Sequence, residues 1–507
     1  PGGRGRGPQM PSLLASGSVG LGSSGARSAL ASGGGGGGWP RPLRWQQRAK
    51  RGPSHEEASA DPAPRAVHQA AVEASQQAPQ QAPIDRSLWM MGYFAFLRVM
   101  NGAIVVPIAA KCARRLGLGP MVGFLVLALF PVSSACLGVP LNHWLLRSWP
   151  LQSVLSVMAL GSMVGNVLLA VGCHTSCWYI TCASVALLGT CGNPVLTCLY
   201  VGHEIHILRR SEAMLVVHAF AVMGYSAGFF LAGVLEYLVN TSGSGPLRFD
   251  SCMMPGLFMA NMYLLSLAKL HFLFKEPVLP GADRQLAIGL RGAPEAASMS
   301  KVLFCCWVAF CAKTAAIACD VFTASITQHA WGWSVEDSAY YTAAVCACVV
   351  PMLFLNLKVA VAAGIEERQA LLVISGFGLA CSGMLYALGD LAAAGQATGP
   401  RAAAHFGAFV LLQAAANLAQ GYVFAMASRL VVVGRIDLAS SCMVSALLVG
   451  FVGGCLVATV ATPDYFRAAQ SATFGGLLLG VVLGYERPQP QWVPRDEPMQ
   501  CATPQIC

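Results

Sequence analysis

Charged residues are scarce in this sequence. Asp, Glu, Lys and Arg make up only 11% of the 507 residues, whereas soluble domains carry roughly 25%. Hydrophobic residues make up 55%. This composition excludes an ordinary soluble domain and predicts an integral membrane protein. The formal net charge of +9 indicates an orientation in a bilayer rather than nucleic-acid binding.

The sequence also lacks the motifs of catalytic and metal chemistry. It contains no Cys-x-x-Cys pair and no paired zinc-ligand spacing, although it has 19 cysteines. We find no nucleophile–base constellation and no glycine-rich phosphate loop, so we expect no enzyme activity, no cofactor and no metal. Cys173 and Cys177 flank a short loop, and a disulfide between them is one option.

Acidic residues are missing from the first 55 residues, because Glu56 is the first of them. Residues 1–87 are rich in Gly, Ser, Pro and Arg. Such a segment is typical of a disordered cytoplasmic tail, and it also fits an organellar transit peptide.

From residue 88 the pattern becomes one of apolar runs of ~20 residues, the length that crosses a bilayer as a helix. The predicted fold is an all-α membrane protein with two six-helix bundles at 88–275 and 301–486. A cytoplasmic linker at 276–300 joins them, and a tail follows at 487–507. The twelve predicted transmembrane helices lie near 88–110, 118–141, 149–173, 177–201, 213–239, 254–274, 302–328, 338–361, 369–391, 402–428, 439–461 and 467–485.

Lys and Arg are more frequent in the loops that are inner when both termini are cytoplasmic, which favours that orientation. The sequon at Asn240 then falls on the outer or lumenal side, where glycosylation occurs.

The two halves carry signs of an internal repeat. Arg98 precedes Gly117, and Lys313 precedes Gly332, by the same 19 residues. Parallel repeats of this kind place a substrate site at the bilayer midplane between the halves. Two cations at equivalent depths are then expected to face one central cavity.

Several polar side chains inside apolar helices are candidates for that site. Asp320 lies on the face of Lys313, ~10 Å further along the helix, and would either neutralise a neighbouring cation or couple transport to a proton. The alternatives to a site are internal ion pairs, snorkelling and interhelical hydrogen bonds. The predicted substrate-binding residues are Arg98, Asn101, Lys313, Gln328, Gln413, Asn417 and Gln420.

Two motifs resemble those of the major facilitator superfamily. Gly224, Gly228 and Gly233 resemble its glycine-rich helix-five motif, with Phe229 where that motif has Pro. The loop residues Gly138, Asn142 and Arg147 resemble its gating loop, with Asn in place of Asp.

Longer stretches resemble one branch, the SPX–MFS vacuolar phosphate transporters and their lysosomal relatives: `LRFDSCMMPGLFMANMYLLSLAKLHFLFKEP`, `WGWSVEDSAYY`, `EERQALL` and `LAQGYVFAMASRL`. Lys313 matches a helix-seven Lys of that branch, and Asn101 matches a helix-one Asn. We expect no SPX domain, because residues 1–87 are too short and too low in complexity. The arginines of helices four and eleven are also missing, and Arg98 is positioned to replace part of their charge.

The resemblance implies transmembrane transport of a small solute, namely a phosphate-like anion, by alternating access. It implies a vacuolar or lysosomal-type endomembrane; a plastid or another organelle membrane is the alternative. The expected partners are the anionic substrate, a coupling proton and the lipid bilayer, and not nucleic acid. Two other functions stay open, namely an anion-conducting channel on the same scaffold and a non-transporting membrane sensor or scaffold.

Overall fold

A computed structural model of the chain describes residues 86–117, 119–205, 210–241, 250–274, 299–363, 365–387, 400–430, 436–460 and 463–484. The predicted tail at 1–87 lies outside the described residues up to position 85. So do nearly all of the predicted linker at 276–300 and the whole predicted tail at 487–507.

The described ranges contain helices and no strand, which confirms the predicted fold class. Twelve spans are numbered in chain order, and spans 1, 2 and 4 are each built of more than one piece. Their bounds are α1a Arg86–Ala103 and α1b Ala109–Arg115; α2a Pro120–Ser133, a π-helical turn Ser134–Gly138 and α2b Val139–Ser148; α3 Leu151–His174; α4a Trp178–Cys191 and α4b Val195–Glu204; α5 Arg210–Thr241; α6 Met254–Leu273; α7 Met299–His329; α8 Val335–Ala363; α9 Glu367–Ala387; α10 Pro400–Leu430; α11 Ile436–Val460; and α12 Pro463–Gly484.

Spans 2 to 12 are long and apolar enough to cross a membrane. Span 1 is the exception because residues 104–108 interrupt it. Exposed aromatic side chains lie close to helix ends, where amphipathic rings favour the membrane–water interface; they include Trp89, Trp149, Trp178, Tyr179, Tyr386 and Tyr465. Together with the composition, these features describe a multi-pass integral membrane protein.

The helices of the two halves pack in matching pairs. Helix 1 packs on helix 5 as helix 7 packs on helix 11, and the pairs 2–4 and 3–6 correspond to 8–10 and 9–12. Contacts between the halves follow the same rule, because helices 5–8 correspond to 11–2 and helices 5–10 correspond to 11–4. The described helices therefore form two six-helix bundles that share these helix pairings, although helix 7 packs more closely on helices 10 and 12 than helix 1 does on helices 4 and 6.

Glycines bring helices 5 and 11 close to their partners. A Cβ on Gly228 would lie 2.7 Å from the Cβ of Ala103, and one on Gly454 would lie 2.9 Å from the backbone nitrogen of Ala318. The other member of each pair, Gly224 or Gly450, stands four residues earlier against the partner helix. Small residues at this spacing allow helix backbones to approach closely, and both halves use them at corresponding places.

The turns that open helices 2 and 8 also match. Gly117 and Gly332 have φ of +74° and +70° and are the positive-φ glycines of the described chain. A left-handed residue is routine only for glycine. The 19-residue spacing from Arg98 and Lys313 therefore marks a repeated backbone feature.

Helix 1 differs from helix 7 at residues 104–108, where the α-helix gives way to turns. Pro107 has no N–H and its ring clashes with the preceding turn, so an interruption is expected there. The carbonyl of Pro107 accepts a hydrogen bond of 2.9 Å from the side-chain amide of Gln328 on α7. A polar contact between the halves thus forms at the interruption.

Candidate functional site

A cavity of about 130 Å³ lies between the two bundles. Helices 1 to 5 line it from one half, and helices 7, 10 and 11 line it from the other. Its polar lining is small and consists of Arg98, Asn101, Thr197, His218, Tyr225, Lys313, Asp320 and Gln420.

Lys313 reaches into this cavity from α7. Its Nζ donates a hydrogen bond of 2.6 Å to the hydroxyl of Tyr225 on α5. The same ammonium lies 4.9 Å from the Tyr225 ring centre and 5.8 Å from that of Phe451 on α11. Aromatic rings stabilise a cation electrostatically, so this charge is held between the two bundles, and no carboxylate of the described residues forms an ion pair with it.

Arg98 enters the cavity from α1a and is half-buried. It also lines a smaller cavity of about 40 Å³ beside Ser162, Asn193 and Tyr263. No carboxylate of the described chain forms an ion pair with Arg98. The sequence prediction that both cations face one cavity agrees with this placement.

Asp320 is almost fully buried, at 4% exposure. One carboxylate oxygen, Oδ1, accepts a 2.7 Å hydrogen bond from the side-chain amide of Gln413 and a 3.6 Å contact from the Cys346 thiol. The other oxygen, Oδ2, has no hydrogen-bond partner within the described ranges. One acidic oxygen is therefore anchored by helix 10 while the other is left unpaired beside the cavity.

The three predicted substrate-binding residues of helix 10, Gln413, Asn417 and Gln420, have two different roles. Gln420 lines the cavity, but Gln413 and Asn417 do not. Gln413 is held by Asp320, and the Asn417 amide donates to the Gln413 carbonyl at 2.9 Å. The Asn417 carbonyl lies 2.9 Å from Nε2 of His218. Gln413 and Asn417 thus stand behind the lining and support it.

The two remaining predicted substrate-binding residues, Asn101 and Gln328, also differ in whether they line the cavity. Asn101 lines the cavity at 4% exposure, and its Oδ1 has no hydrogen-bond partner in the described part of the chain. Gln328 lies outside the lining, because its amide is taken up by Pro107 and by a 3.4 Å contact to Ser338. The sequence pattern showed that Gln328 is polar and intramembrane but not which way it points.

The motif residues occupy packing and interface positions. Gly224 and Gly228 face helix 1, whereas Gly233 faces the ring of Tyr340 on α8. Gly138 lies in the π-helical turn against helix 4, where a Cβ would be 2.7 Å from the carbonyl oxygen of Thr190. Asn240 is exposed near the end of α5.

The loop that resembles the gating loop of the superfamily keeps only part of the polar character of that motif. Asn142 is fully buried, and neither of its side-chain polar atoms has a partner among the described residues. Arg147 lies in α2b, and its side chain is outside the described part of the chain. The neighbouring His143 instead contacts the Ser441 hydroxyl on α11 at 2.5 Å, so a hydrogen bond joins the bundles here.

Sequence reasoning missed the aromatic residues that surround Lys313. Tyr225 and Phe451 each follow the first glycine of a close-approach pair, Gly224 or Gly450, by one position. Their repeated placement beside these glycines was the available signal. His218 was visible as a buried polar residue on α5, but its contact with helix 10 was not.

No family model matches the sequence, and no curated protein matches it. Solved structures do match the fold. The human organic anion transporter MFSD10 (TETRAN) is 15% identical, with 80% of this chain and 100% of that chain covered at a TM-score of 0.58.

Two further structures are similar at comparable levels. The proton:xylose symporter XylE is 13% identical over 78% of this chain and 94% of its own, with a TM-score of 0.60. The transporter FucP in the outward conformation is 12% identical over 79% and 99%, with a TM-score of 0.56. At these identities the likeness establishes the fold, which is that of major facilitator superfamily transporters.

Proposed function

We propose that this protein carries a small anion across a membrane by alternating access, with the two bundles moving about the central cavity. The observation that carries the proposal is the placement of Arg98 and Lys313. They come from equivalent helices of the two halves and line the same cavity. A ligand between them contacts both bundles, which is the arrangement that couples binding to their relative movement.

The charge of the cavity favours an anion. Two cations line it against one carboxylate, and that carboxylate is anchored by Gln413. A charge in a low-dielectric site is costly without a partner of opposite sign. A bound anion supplies that partner to Arg98 and Lys313 together. The printed description of MFSD10 as an organic anion transporter is in keeping with this assignment.

The lining distinguishes between two kinds of anion. Inorganic phosphate, which the sequence resemblance implies, needs many hydrogen-bond donors when it leaves water. Here the lining is mostly apolar and includes Val217, Phe229, Leu447 and Phe451. An organic monoanion with an apolar body is therefore the better candidate, with its carboxylate at the cations. The volume is close to the ~150 Å³ of an engineered cavity that binds benzene, so benzoate is a suitable first probe.

Contacts between the bundles at both ends of the helices provide the elements of a gate. His143 and Ser441 join helices 2 and 11 near one end, whereas Gln328 and Pro107 join helices 7 and 1 near the other. Alternating access requires that the contacts at one end open while the contacts at the other end stay closed.

A lysosomal, vacuolar or plastid membrane is the proposed location.

Asp320 is the proposed site of proton coupling. Its unpaired Oδ2 lies beside the cavity that holds both cations, so a proton there changes the field that the substrate meets. We expect Asp320→Asn to keep benzoate exchange while uptake loses its dependence on a pH gradient. Asp464→Asn, the same change at an exposed carboxylate outside the cavity, is the matched control. Unchanged pH dependence in Asp320→Asn would remove Asp320 from the coupling step.

The test of the proposed function is uptake of labelled benzoate and phosphate by liposomes that contain the purified protein. Saturable uptake that is accelerated by unlabelled benzoate inside the vesicles indicates a transporter. A current proportional to driving force, without such counterflow, would instead establish the channel alternative. Absence of both, with protein that is folded by thermal unfolding, would favour the sensor or scaffold.

A further inference from the structure

Three cysteines that are distant in the sequence meet at one end of the first bundle. Cys112 lies in α1b, Cys173 lies in the last turn of α3, and Cys252 lies in the turn before α6. All three line a small cavity of about 40 Å³ that adjoins the central one. In the predicted orientation this end faces the outer or lumenal side.

Cys112 is the shared member of this thiol cluster. Its thiol neighbours those of both Cys173 and Cys252. Cys173 and Cys252 are buried at 3% exposure each, and Cys112 is half-buried. No group of three or more metal-ligating side chains within the described ranges has the geometry of a metal site. The cluster is therefore better suited to thiol chemistry than to metal binding.

An ion pair holds the segment of Cys252 against the helix of Cys112. Arg115, three residues after Cys112, pairs with Asp250, two residues before Cys252. The backbone N–H of Cys252 in turn donates to Oδ1 of Asp250 at 3.3 Å. The Arg115–Asp250 pair thus holds the two thiols near each other before any bond forms. Lys111 pairs with Glu236 at 2.6 Å and holds α1b against α5.

The two partners of Cys112 differ in backbone freedom. A disulfide requires Cα atoms about 4.4–6.8 Å apart and a narrow range of dihedral angles. Cys252 lies in a non-helical turn, whose backbone adjusts to that requirement more readily than a helix does. Cys173 is fixed within α3. Cys252 is thus the better bonding partner, and Cys173 is the neighbouring thiol that remains.

We propose that Cys112 and Cys252 form a disulfide by exchange with a low-molecular-weight disulfide, such as oxidised glutathione. Cys112, the most accessible thiol, loses its proton and attacks one sulfur of the oxidant, which releases one thiol. Cys252 then loses its proton and attacks the Cys112 sulfur of the mixed disulfide, which releases the second thiol. The two protons pass to the two released thiols, and two electrons reduce the oxidant. The bond ties helix 1 to the segment before helix 6.

This inference replaces the pairing that sequence proximity suggested. Cys173 and Cys177 are free thiols in the structure, as Cys112 and Cys252 are. Cys177 caps the start of α4a, and its backbone N–H donates to the Gly172 carbonyl. Cys173 lies instead in the cluster with Cys112 and Cys252.

The test uses the purified full chain, equilibrated with mixtures of reduced and oxidised glutathione. Remaining thiols are alkylated, and the peptides are mapped by mass spectrometry. We expect a cross-linked peptide pair containing Cys112 and Cys252 that rises with the oxidised fraction and disappears on reduction. Because this measurement uses the wild-type protein, it does not depend on whether a variant folds.

Three variants sharpen the assignment. Cys112→Ser is expected to abolish the cross-link, whereas Cys173→Ser is expected to leave it. Cys381→Ser, at a buried thiol of α9 outside the cluster, is the matched control and is also expected to leave it. Full alkylation of both Cys112 and Cys252 at every glutathione ratio would overturn the proposal. A wild-type cross-link between Cys112 and Cys173 instead would overturn the choice of partner.

Discussion

Helix 1 and helix 7 begin alike and then diverge. Each carries a cation, Arg98 or Lys313, that faces the central cavity, and each is followed after the same interval by a left-handed glycine. Seven residues past the cation, however, helix 7 has Asp320 and helix 1 has Val105. Helix 1 is also interrupted at residues 104–108, while helix 7 is continuous.

The comparison separates scaffold from chemistry. Helix pairing, close-approach glycines and turn glycines occur in both halves, because both must build the same bundle. Three features occur in only one of the two cation-bearing helices or beside only one of the two cations: the carboxylate of Asp320, the interruption of helix 1, and the Tyr225 hydroxyl that accepts from Lys313. A site at the boundary of two equivalent bundles can therefore be asymmetric without any change in the scaffold. The variants below test each side of this comparison.

The largest expected effect comes from removing either cation. Arg98→Ala and Lys313→Ala should each weaken benzoate transport, because each deletes a charged hydrogen-bond donor worth about 1.5–3 kcal/mol, or roughly ten- to a hundredfold in half-saturating concentration. Initial uptake rates against benzoate concentration provide the measurement.

Lys269→Ala is the matched control for the cation variants. Lys269 lies over the ring of Tyr93, 4.4 Å from its centre, and does not line the cavity. Its removal should leave the half-saturating concentration unchanged. If removal of only one of the two cavity cations raises the half-saturating benzoate concentration, the two halves do not share the anion.

The next effect concerns the close-approach glycines. Gly224→Ala and Gly450→Ala should each lower the free energy of unfolding by about 1–3 kcal/mol, as overpacking does. An added Cβ would collide with the carbonyl oxygen of Phe96 in the first case and lie 2.6 Å from that of Phe310 in the second. Thermal unfolding in detergent measures the change.

Gly407→Ala provides the same substitution in a helix with open space around it. It should be neutral or stabilise by about 0.5–1 kcal/mol, since alanine suits a helix better than glycine. Equal behaviour of all three variants would contradict the packing role given to Gly224 and Gly450.

The turn glycines should respond equally in both halves. Gly117→Ala and Gly332→Ala meet no neighbouring atom, so each cost is conformational, about 1–2 kcal/mol for a left-handed residue with a Cβ. The unfolding midpoints of the two variants should fall together, and asparagine at either position should cost less. A loss confined to one half would refute their equivalence.

The smallest expected effect comes from the variant that places the same residue, Phe, at both corresponding positions beside Lys313. Tyr225 and Phe451 follow corresponding glycines, and only Tyr225 has a hydroxyl to accept from the ammonium. Tyr225→Phe should weaken benzoate affinity by a few-fold, since it removes the hydroxyl that positions the Lys313 ammonium and leaves the charge of that ammonium in place. Phe451→Leu, which removes only the more distant ring, is the comparison variant. A larger loss from Phe451→Leu would reverse their assigned importance.

The fold was accessible from the sequence because its signals are periodic. Apolar runs separated by short polar breaks predict the spans, although helix 2 extends to Ser148, beyond the predicted end at 141. The repeat was visible from Arg98, Lys313 and two glycines. The matching pair Gly450 and Gly454 had the same spacing as Gly224 and Gly228, yet glycine is frequent in this chain and the signal was weak.

The candidate site could be predicted only in part from the sequence. Charged residues inside apolar helices indicate function wherever they occur, so Arg98, Lys313 and Asp320 could be identified. Polar amides are ambiguous, because a hydrogen bond to a neighbouring helix satisfies them as well as a substrate does. Gln328 and Gln413 are used in this way, and only the packing of other helices decides it.

The central claim is that Arg98 and Lys313 hold one anion together. Its most direct test is thermal unfolding of wild type, Arg98→Ala, Lys313→Ala and Lys269→Ala with benzoate and with phosphate. A ligand at a hundredfold excess over its dissociation constant raises the free energy of unfolding by about 2.7 kcal/mol. The account predicts that benzoate stabilises wild type and Lys269→Ala but neither cavity variant. Equal stabilisation of all four proteins, or of none, would contradict it.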